Sequence, residues 1–346
     1  MKRVAIVLLV LLVAVGGMFA QATSFDFSTF QTALGNFAQG AANSLPFNAL
    51  VGLNWSDAYI GQLIALPPHL GFGVTAGATL MPIDSVSAML TTLKIDLSNG
   101  PLAPLQQWGI PIPAYTIDAR IGGIVLPFDI GVKFGYIPEG FVQKTFNLPV
   151  DVNYLMAGAD FRFALVKENI ILPNISVGAG YTIMRGSVLV PGLLGNNVTV
   201  SNFKVGTDTY TLGFTDPSLS VGWTTNVLDL KAQISKSLLI ITPYLGVGAS
   251  LGLSSVDGGV QTNLTINGAA ATQAQIDSLN ALLTAAGQPQ LSTQGFTVGA
   301  SAPAGWAFRV FGGASLNILI LKIDVGAMYN FISGSLGATV GVRLQI

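Results

Sequence analysis

The chain has 346 residues, 51% hydrophobic and 9% charged, with a net charge of −1, against roughly 25% charged residues in a typical soluble domain. Near-neutrality withholds the basic field that a nucleic-acid partner needs, and the absence of cysteine excludes disulfides, thiol chemistry and a lipid-modified N-terminal Cys. Mean hydropathy is +0.62, yet no long apolar run follows residue 20, which excludes a membrane-spanning helix and leaves the closed β-barrel as the other backbone-satisfied way to cross lipid.

At the N-terminus Lys2 and Arg3 precede an apolar stretch from Val4 to Val15, and Ala20-Gln21-Ala22 has the small-x-small form of a signal-peptidase site. Residues 1–22 are therefore expected to be a signal peptide, cleaved after Ala20 or Ala22, that sends the chain to the cell outer membrane. Residues 23–69 form a segment ahead of the barrel. Within it Phe27, Phe30, Leu34 and Phe37 recur at three- and four-residue spacing, one face of an amphipathic helix. That stripe suits either a helix strapped under the barrel or on the membrane, or a plug and ligand contact inside the lumen. The text from Leu45 to His69 is irregular, with Pro46, Pro67 and Pro68 as breakers and part of it placed inside the barrel.

From residue 70 onward one grammar recurs. Apolar residues alternate with Gly, Ser, Thr and a few charges over Leu70–Leu80, Ile117–Ile121, Ile130–Tyr136, Ala157–Leu165, Ile175–Ile183, Leu228–Ile234, Leu245–Leu253, Trp306–Leu316, Leu321–Phe331 and Leu336–Ile346. A strand with lipid on one side and a confined polar interior on the other gives this pattern. The expected fold is an all-β transmembrane antiparallel barrel of about 12–14 strands over residues 70–346, with a short N-terminal helical plug. Short connections at "LPF", "KENIILP", "SLLIITP" and "NILI" fall on the periplasmic side, and residues 81–116, 138–153, 184–207 and 254–305 fall outside. Short external turns are also expected at 224–226 and 332–335, and a helix at 271–287 inside an external loop.

Charges assigned to the interior are mixed in sign: Asp118, Arg120, Asp129, Lys133, Asp160, Arg162, Asp229, Lys231, Arg309, Lys322 and Asp324. They suit an ion-pair network joining plug and wall; alternatively a cationic subset, Arg120, Arg162 and Arg309, could anchor a ligand carboxylate. The lone histidine, His69, has no nucleophile motif beside it and reads as a strand-entry residue. No catalytic residue, metal site or cofactor is expected, and the chain is read as a non-enzyme.

The wording "SLPFNALVGLNWSDAYIGQL" and "PPHLGFGV", ahead of the barrel grammar, resembles the FadL-type long-chain fatty acid transporters of the outer membrane, in their divergent spirochaete form. The resemblance implies a fourteen-stranded barrel, an N-terminal hatch closing the lumen, and passage of hydrophobic molecules that leave sideways through a strand distortion. The family's Asn-Pro-Ala hatch motif is absent, its nearest text being Pro46-Phe47-Asn48-Ala49, and Ile346 stands where a terminal aromatic is usual. The implied function is an outer-membrane channel, porin-like in form, for uptake of hydrophobic or amphipathic molecules such as long-chain fatty acids. Implied partners are outer-membrane lipid, the hydrophobic ligand and the barrel assembly machinery. The other reading is a structural or interaction barrel whose long external loops act as an adhesin or bind partners.

Overall fold

The computed structural model describes residues 27–92, 103–146, 150–191, 197–205, 208–285 and 290–346. The expected signal peptide, residues 1–22, lies outside them. In chain order the elements are α1 (Phe27–Asn48), β1 (Leu70–Met81), α2 (Asp84–Thr92), α3 (Ala103–Trp108), β2 (Ile110–Gly122), β3 (Phe128–Ile137), α4 (Phe141–Phe146), β4 (Asp151–Val166) and β5 (Asn174–Pro191). They continue with β6 (Asn197–Val205), β7 (Asp208–Ser235), β8 (Ile241–Ile266), β9 (Ala269–Ala270), α5 (Gln273–Ala285), β10 (Leu291–Ser292), β11 (Gly295–Ile318), β12 (Leu321–Asn330) and β13 (Leu336–Gln345).

The thirteen strands of the described residues belong to one antiparallel sheet. The ring itself runs β1-β2-β3-β4-β5-β7-β8-β11-β12-β13 and returns to β1, while β6, β9 and β10 pair onto β7, β8 and β11 from the side. The wall is thus ten strands, fewer than the fourteen of the FadL resemblance. The cause lies in β7, β8 and β11, which run 28, 26 and 24 residues. The text at 224–226, expected to be a turn, lies inside β7, and the two ends of 254–305, expected to be a loop, are the far end of β8 and the near end of β11.

Closure joins the two chain ends of the sheet. The terminal strand β13 pairs with β12 from Leu321↔Leu344 to Tyr329↔Leu336 and with β1 from Gly71↔Gln345 to Thr79↔Gly337, so neither β1 nor β13 is left as a free edge. The four short connections, 123–127, 167–173, 236–240 and 319–320, share one end of the barrel with Leu70 and Ile346. The turn at 331–335 and the helix α5 lie at the other end, as expected.

Alternation sorts the wall into two faces. Val74, Ile117, Val132, Phe134, Leu230, Val247, Phe308, Val325 and Val342 point outward and are exposed; Asp118, Arg120, Asp129, Arg162, Arg309 and Arg343, on the other face, are buried. Along β8 the outward column is apolar from Ile241 to Leu253 and then becomes Ser255, Asp257, Gln261 and Asn263. Twelve steps of about 3.3 Å, tilted by about 40°, span about 30 Å, the thickness of a hydrocarbon core. Beyond it β7, β8 and β11 project as an apron whose inner face is apolar: Val260, Leu264, Ile266 and Phe296 pack with Ile276, Leu279 and Leu283 of α5.

A candidate lumen site

The lumen is occupied by the chain's own N-terminal segment. Helix α1 continues through Pro46, one of the expected breakers, to Asn48. Gly252 on the inner face of β8 makes room for that proline, since a Cβ there would lie 2.5 Å from Pro46 Cβ. Phe30 and Leu34 are fully buried and Phe37 partly so; the side chain of Phe27 lies outside the described residues. Phe30 meets Phe296 edge to face at 6.2 Å between centroids. Further along, Ala38, Ala42 and Leu45 pack in one cluster with inward Met156, Met184, Val227, Val256, Phe311 and Met328. This upper tier is an apolar chamber rich in methionine, a side chain that adapts to irregular neighbours. At its floor Asn48 Nδ2 donates to Thr79 Oγ1 at 3.0 Å and to the Ile112 carbonyl at 2.7 Å.

Below Asn48 the chain descends without regular structure, and its backbone is clasped by wall side chains. Lys133 Nζ donates to the carbonyls of Ala49 and Val51 at 2.6 and 2.7 Å. Arg120 and Lys231 both reach the Leu53 carbonyl at 3.3 Å, and Gln233 Nε2 donates to the carbonyls of Trp55 at 2.7 Å and Ser56 at 3.2 Å. Arg162 donates to the Asp57 carbonyl, Ala58 N–H donates to Ser235 Oγ at 2.9 Å, and Ile60 N–H donates to Asp129 Oδ2 at 3.1 Å. The segment bends at Gly52, whose φ of +84° puts a Cβ into Thr116 and 3.1 Å from Asp118 Oδ1, so only glycine fits. Trp55 stacks between guanidiniums, 4.6 Å from Arg343 and 5.6 Å from Arg120.

The wall charges pair among themselves and with Asp57. Arg120 bridges Asp129 and Asp160, each at 2.6 Å; Arg162 meets Asp129 at 2.8 Å and Lys231 meets Asp160 at 2.7 Å. Arg309 is paired with Asp229, and Arg343 with Asp324 at 2.7 Å. Asp57 takes Lys322 at 2.9 Å and Arg343 at 2.8 Å, which joins plug and wall ionically. Burial alone would raise the Asp57 carboxyl, but Arg343 and Lys322 outweigh it and hold it well below the ordinary carboxylate range. Low dielectric makes each pair strong and an unpaired member costly.

Of the residues singled out in the sequence, Arg120, Arg162 and Arg309 are all engaged by carboxylates, and Lys322 and Asp324 meet at the Asp57–Arg343 junction. Five residues were missed: Trp55, Asp57, Gln233, Ser235 and Arg343. Signals for two of them were present. Asp57 is the sole charged residue between Phe27 and His69, and Arg343 occupies a polar-face position of the terminal strand. His69 sits at strand entry with its carbonyl accepting from Gly122 N–H at 2.9 Å. Among the described residues no group of three His, Cys, Asp or Glu could hold a metal ion.

Solved structures similar to this chain include an outer-membrane protease, a protein titled as a transporter and a FadL homologue. The outer-membrane protease OmpT of Escherichia coli is 10% identical, with 81% of this chain and 97% of that one covered and a TM-score of 0.39. The Pseudomonas putida toluene transporter TodX is 8% identical, with 83% and 92% covered and a TM-score of 0.26. A FadL homologue of Pseudomonas aeruginosa is 8% identical, with 80% and 89% covered and a TM-score of 0.24. No curated protein matches the chain. A family model described as Lsa36-like matches residues 119–346, from within β2 to the last residue and so most of the barrel wall, and the chain belongs to the Lsa36-like family.

Proposed function

We propose that this barrel is an outer-membrane channel for hydrophobic or amphipathic small molecules, long-chain fatty acids foremost, and that residues 23–69 are its gate. The reading includes removal of residues 1–22 and a FadL-type route in which the plug yields to the ligand. One observation carries it: the upper lumen is an apolar, methionine-lined chamber occupied by a helix of the same chain, and a polar clamp holds that helix from below. A wall that needed filling only for stability could close on its own side chains, as small barrels do. A chamber occupied by a separable helix offers an acyl chain the same contacts once the helix moves aside.

The native chain has no cysteine, so a reversible lock is available. A Cβ on Gly258 would lie 3.0 Å from Leu34 Cγ, the place that Sγ takes in Leu34→Cys, and a disulfide sets each sulfur about 3.0 Å from its partner's Cβ. In liposomes holding the Leu34→Cys/Gly258→Cys barrel, uptake of a fluorescent fatty acid should stop on oxidation and return with reductant, while either single variant transports in both states. Equal uptake by the oxidised and reduced double variant refutes gating by α1.

A further inference from the structure

The short-turn end of the barrel is tipped with aliphatic side chains. Val125, Ile170, Leu239 and Leu319 each stand at the apex of a different short connection, with Ile170 and Leu239 98% exposed and Leu319 96%. Ile64 and Leu66, where the N-terminal segment leaves the lumen, add to the same rim. Periplasmic turns that meet water have no reason to carry such residues on every tip. We propose that this rim is embedded in lipid: the tips sit in the hydrocarbon edge of the leaflet on the short-turn side, and the barrel ends inside the membrane and not beyond it.

Three observations converge on lipid as the partner. First, the tips continue the lipid-facing wall without a polar break, from Leu316 and Ile318 to Leu319, and from Leu245 and Ile241 to Leu239. Secondly, the distance fits. Outward aromatics at the far boundary, Tyr136, Tyr181 and Tyr329, each lie ten residues along the chain from a tip residue, Leu126, Ile171 and Leu319. Ten residues at about 3.3 Å, tilted by about 40°, give about 25 Å, the height of the apolar band on barrels of this kind.

Thirdly, the turn backbones are capped from within the protein, which water would make unnecessary and lipid makes obligatory. Asn169 Oδ1 accepts from the N–H groups of Ile171 and Leu172 at 2.9 and 2.8 Å. Lys236 Nζ donates to the carbonyls of Asn169, Ile170 and Leu172, and Glu168 answers its charge at 3.8 Å. Gln62 Nε2 donates to the Val125 carbonyl. The carbonyls of Ile240 and Ile320 accept from Asn317 N–H and Gln345 N–H at 2.7 and 2.8 Å, and that of Leu126 accepts from Phe128 N–H at 2.8 Å. Apolar tips flanked by capped carbonyls and N–H groups suit the edge of the hydrocarbon, where the apex groups of Leu239 and Leu319 reach the headgroup layer. This inference rests on insertion of the barrel in a bilayer and not on what the lumen carries.

The test uses single cysteines in the full chain, Ile171→Cys, Leu239→Cys and Leu319→Cys, each labelled with an environment-sensitive fluorophore in phosphatidylcholine vesicles. Val247→Cys on the wall and Asn263→Cys on the apron serve as lipid and water references. The tip labels should be quenched by phosphatidylcholine brominated on its acyl chains and lose quenching by iodide, as the wall label does. Iodide quenching equal to that of the apron label, with iodide on the short-turn side, places the tips in water and overturns the proposal. Silence to both quenchers means that a protein surface or a second copy covers them, and overturns it equally.

Discussion

The junction of Asp57 with Lys322 and Arg343 gives the sharpest quantitative handle on the plug. The substitution Asp57→Asn keeps the shape of the side chain and removes its charge, leaving two buried or nearly buried cations with one carboxylate fewer. Breaking a fully buried ion pair by removing one partner costs about 3–5 kcal/mol. Here the loss is smaller for two reasons: Arg343 keeps Asp324 at 2.7 Å, and the Lys322 side chain is 14% exposed and so partly solvated. A cost of about 2–3 kcal/mol remains after that discount, which shifts the balance between seated and released plug by about 30- to 150-fold. Planar-bilayer recordings should show D57N open far more often than wild type, and limited proteolysis should cut the segment around Ala58 faster in the variant. D277N on the exposed face of α5 should change neither. A D57N barrel as closed and as protease-resistant as wild type refutes the view that this junction holds the segment in place.

Acid should act through the same carboxyl. A carboxyl held lower in the seated state than when released adds stability above its ordinary value of about 4, and that stability is lost as pH falls below it toward the seated-state value. Wild-type current should stay flat from about pH 8 to about pH 5 and rise in more acid buffer, with D57N lacking part of that rise. Gly252→Val puts a Cβ 2.5 Å from Pro46 Cβ, an overpacking worth about 1–3 kcal/mol. Hydrogen exchange in α1 should quicken while that of β12 and β13 stays unchanged. Ile346 points outward, and its N–H is held by the Leu70 carbonyl at 2.9 Å. Ile346→Phe should therefore leave the β1–β13 seam closed, with the amide of residue 346 as protected from hydrogen exchange as in wild type; faster exchange there refutes the outward placement of this side chain.

The wall was legible wherever lipid lies on one side of a strand and the clamp on the other, because that contrast writes a strict two-residue period. It became illegible above the membrane. On β8 the apolar column is odd-numbered up to Leu253 and even-numbered from Val256 onward, since the outer face now meets water and the inner face packs on α1 and α5. A phase slip of one residue moves the apolar set to the other face, and in sequence it reads as a turn or a loop. This is how Thr224, Thr225 and Asn226 were mistaken for a reversal inside the longest strand. The helix stripe was legible from Phe30, Leu34 and Phe37, but not its depth, because an apolar stripe is equally content against lipid, against a wall or inside a lumen. Clamp residues such as Gln233 and Ser235 carry no signal of their own: their role comes from carbonyls far away in sequence.

The order of the chain through the ring has a consequence for gating. Phe30 lies beside Phe296 in the apron and Leu70 beside Ile346 at the opposite end, so the polypeptide runs the length of the lumen before it turns back to become the first strand of the wall. The same polypeptide is therefore both the cork and one lip of the seam, since β1 closes on β13. Helix α1 is packed on its apolar side and leaves Thr32, Asn36, Gln39 and Asn43 exposed along the other, so it lies in the lumen without filling its whole cross-section. Because the segment leads directly into β1, any shift of the plug along the lumen pulls on the strand that closes the β1–β13 seam, so gating and seam stability are coupled through one covalent path.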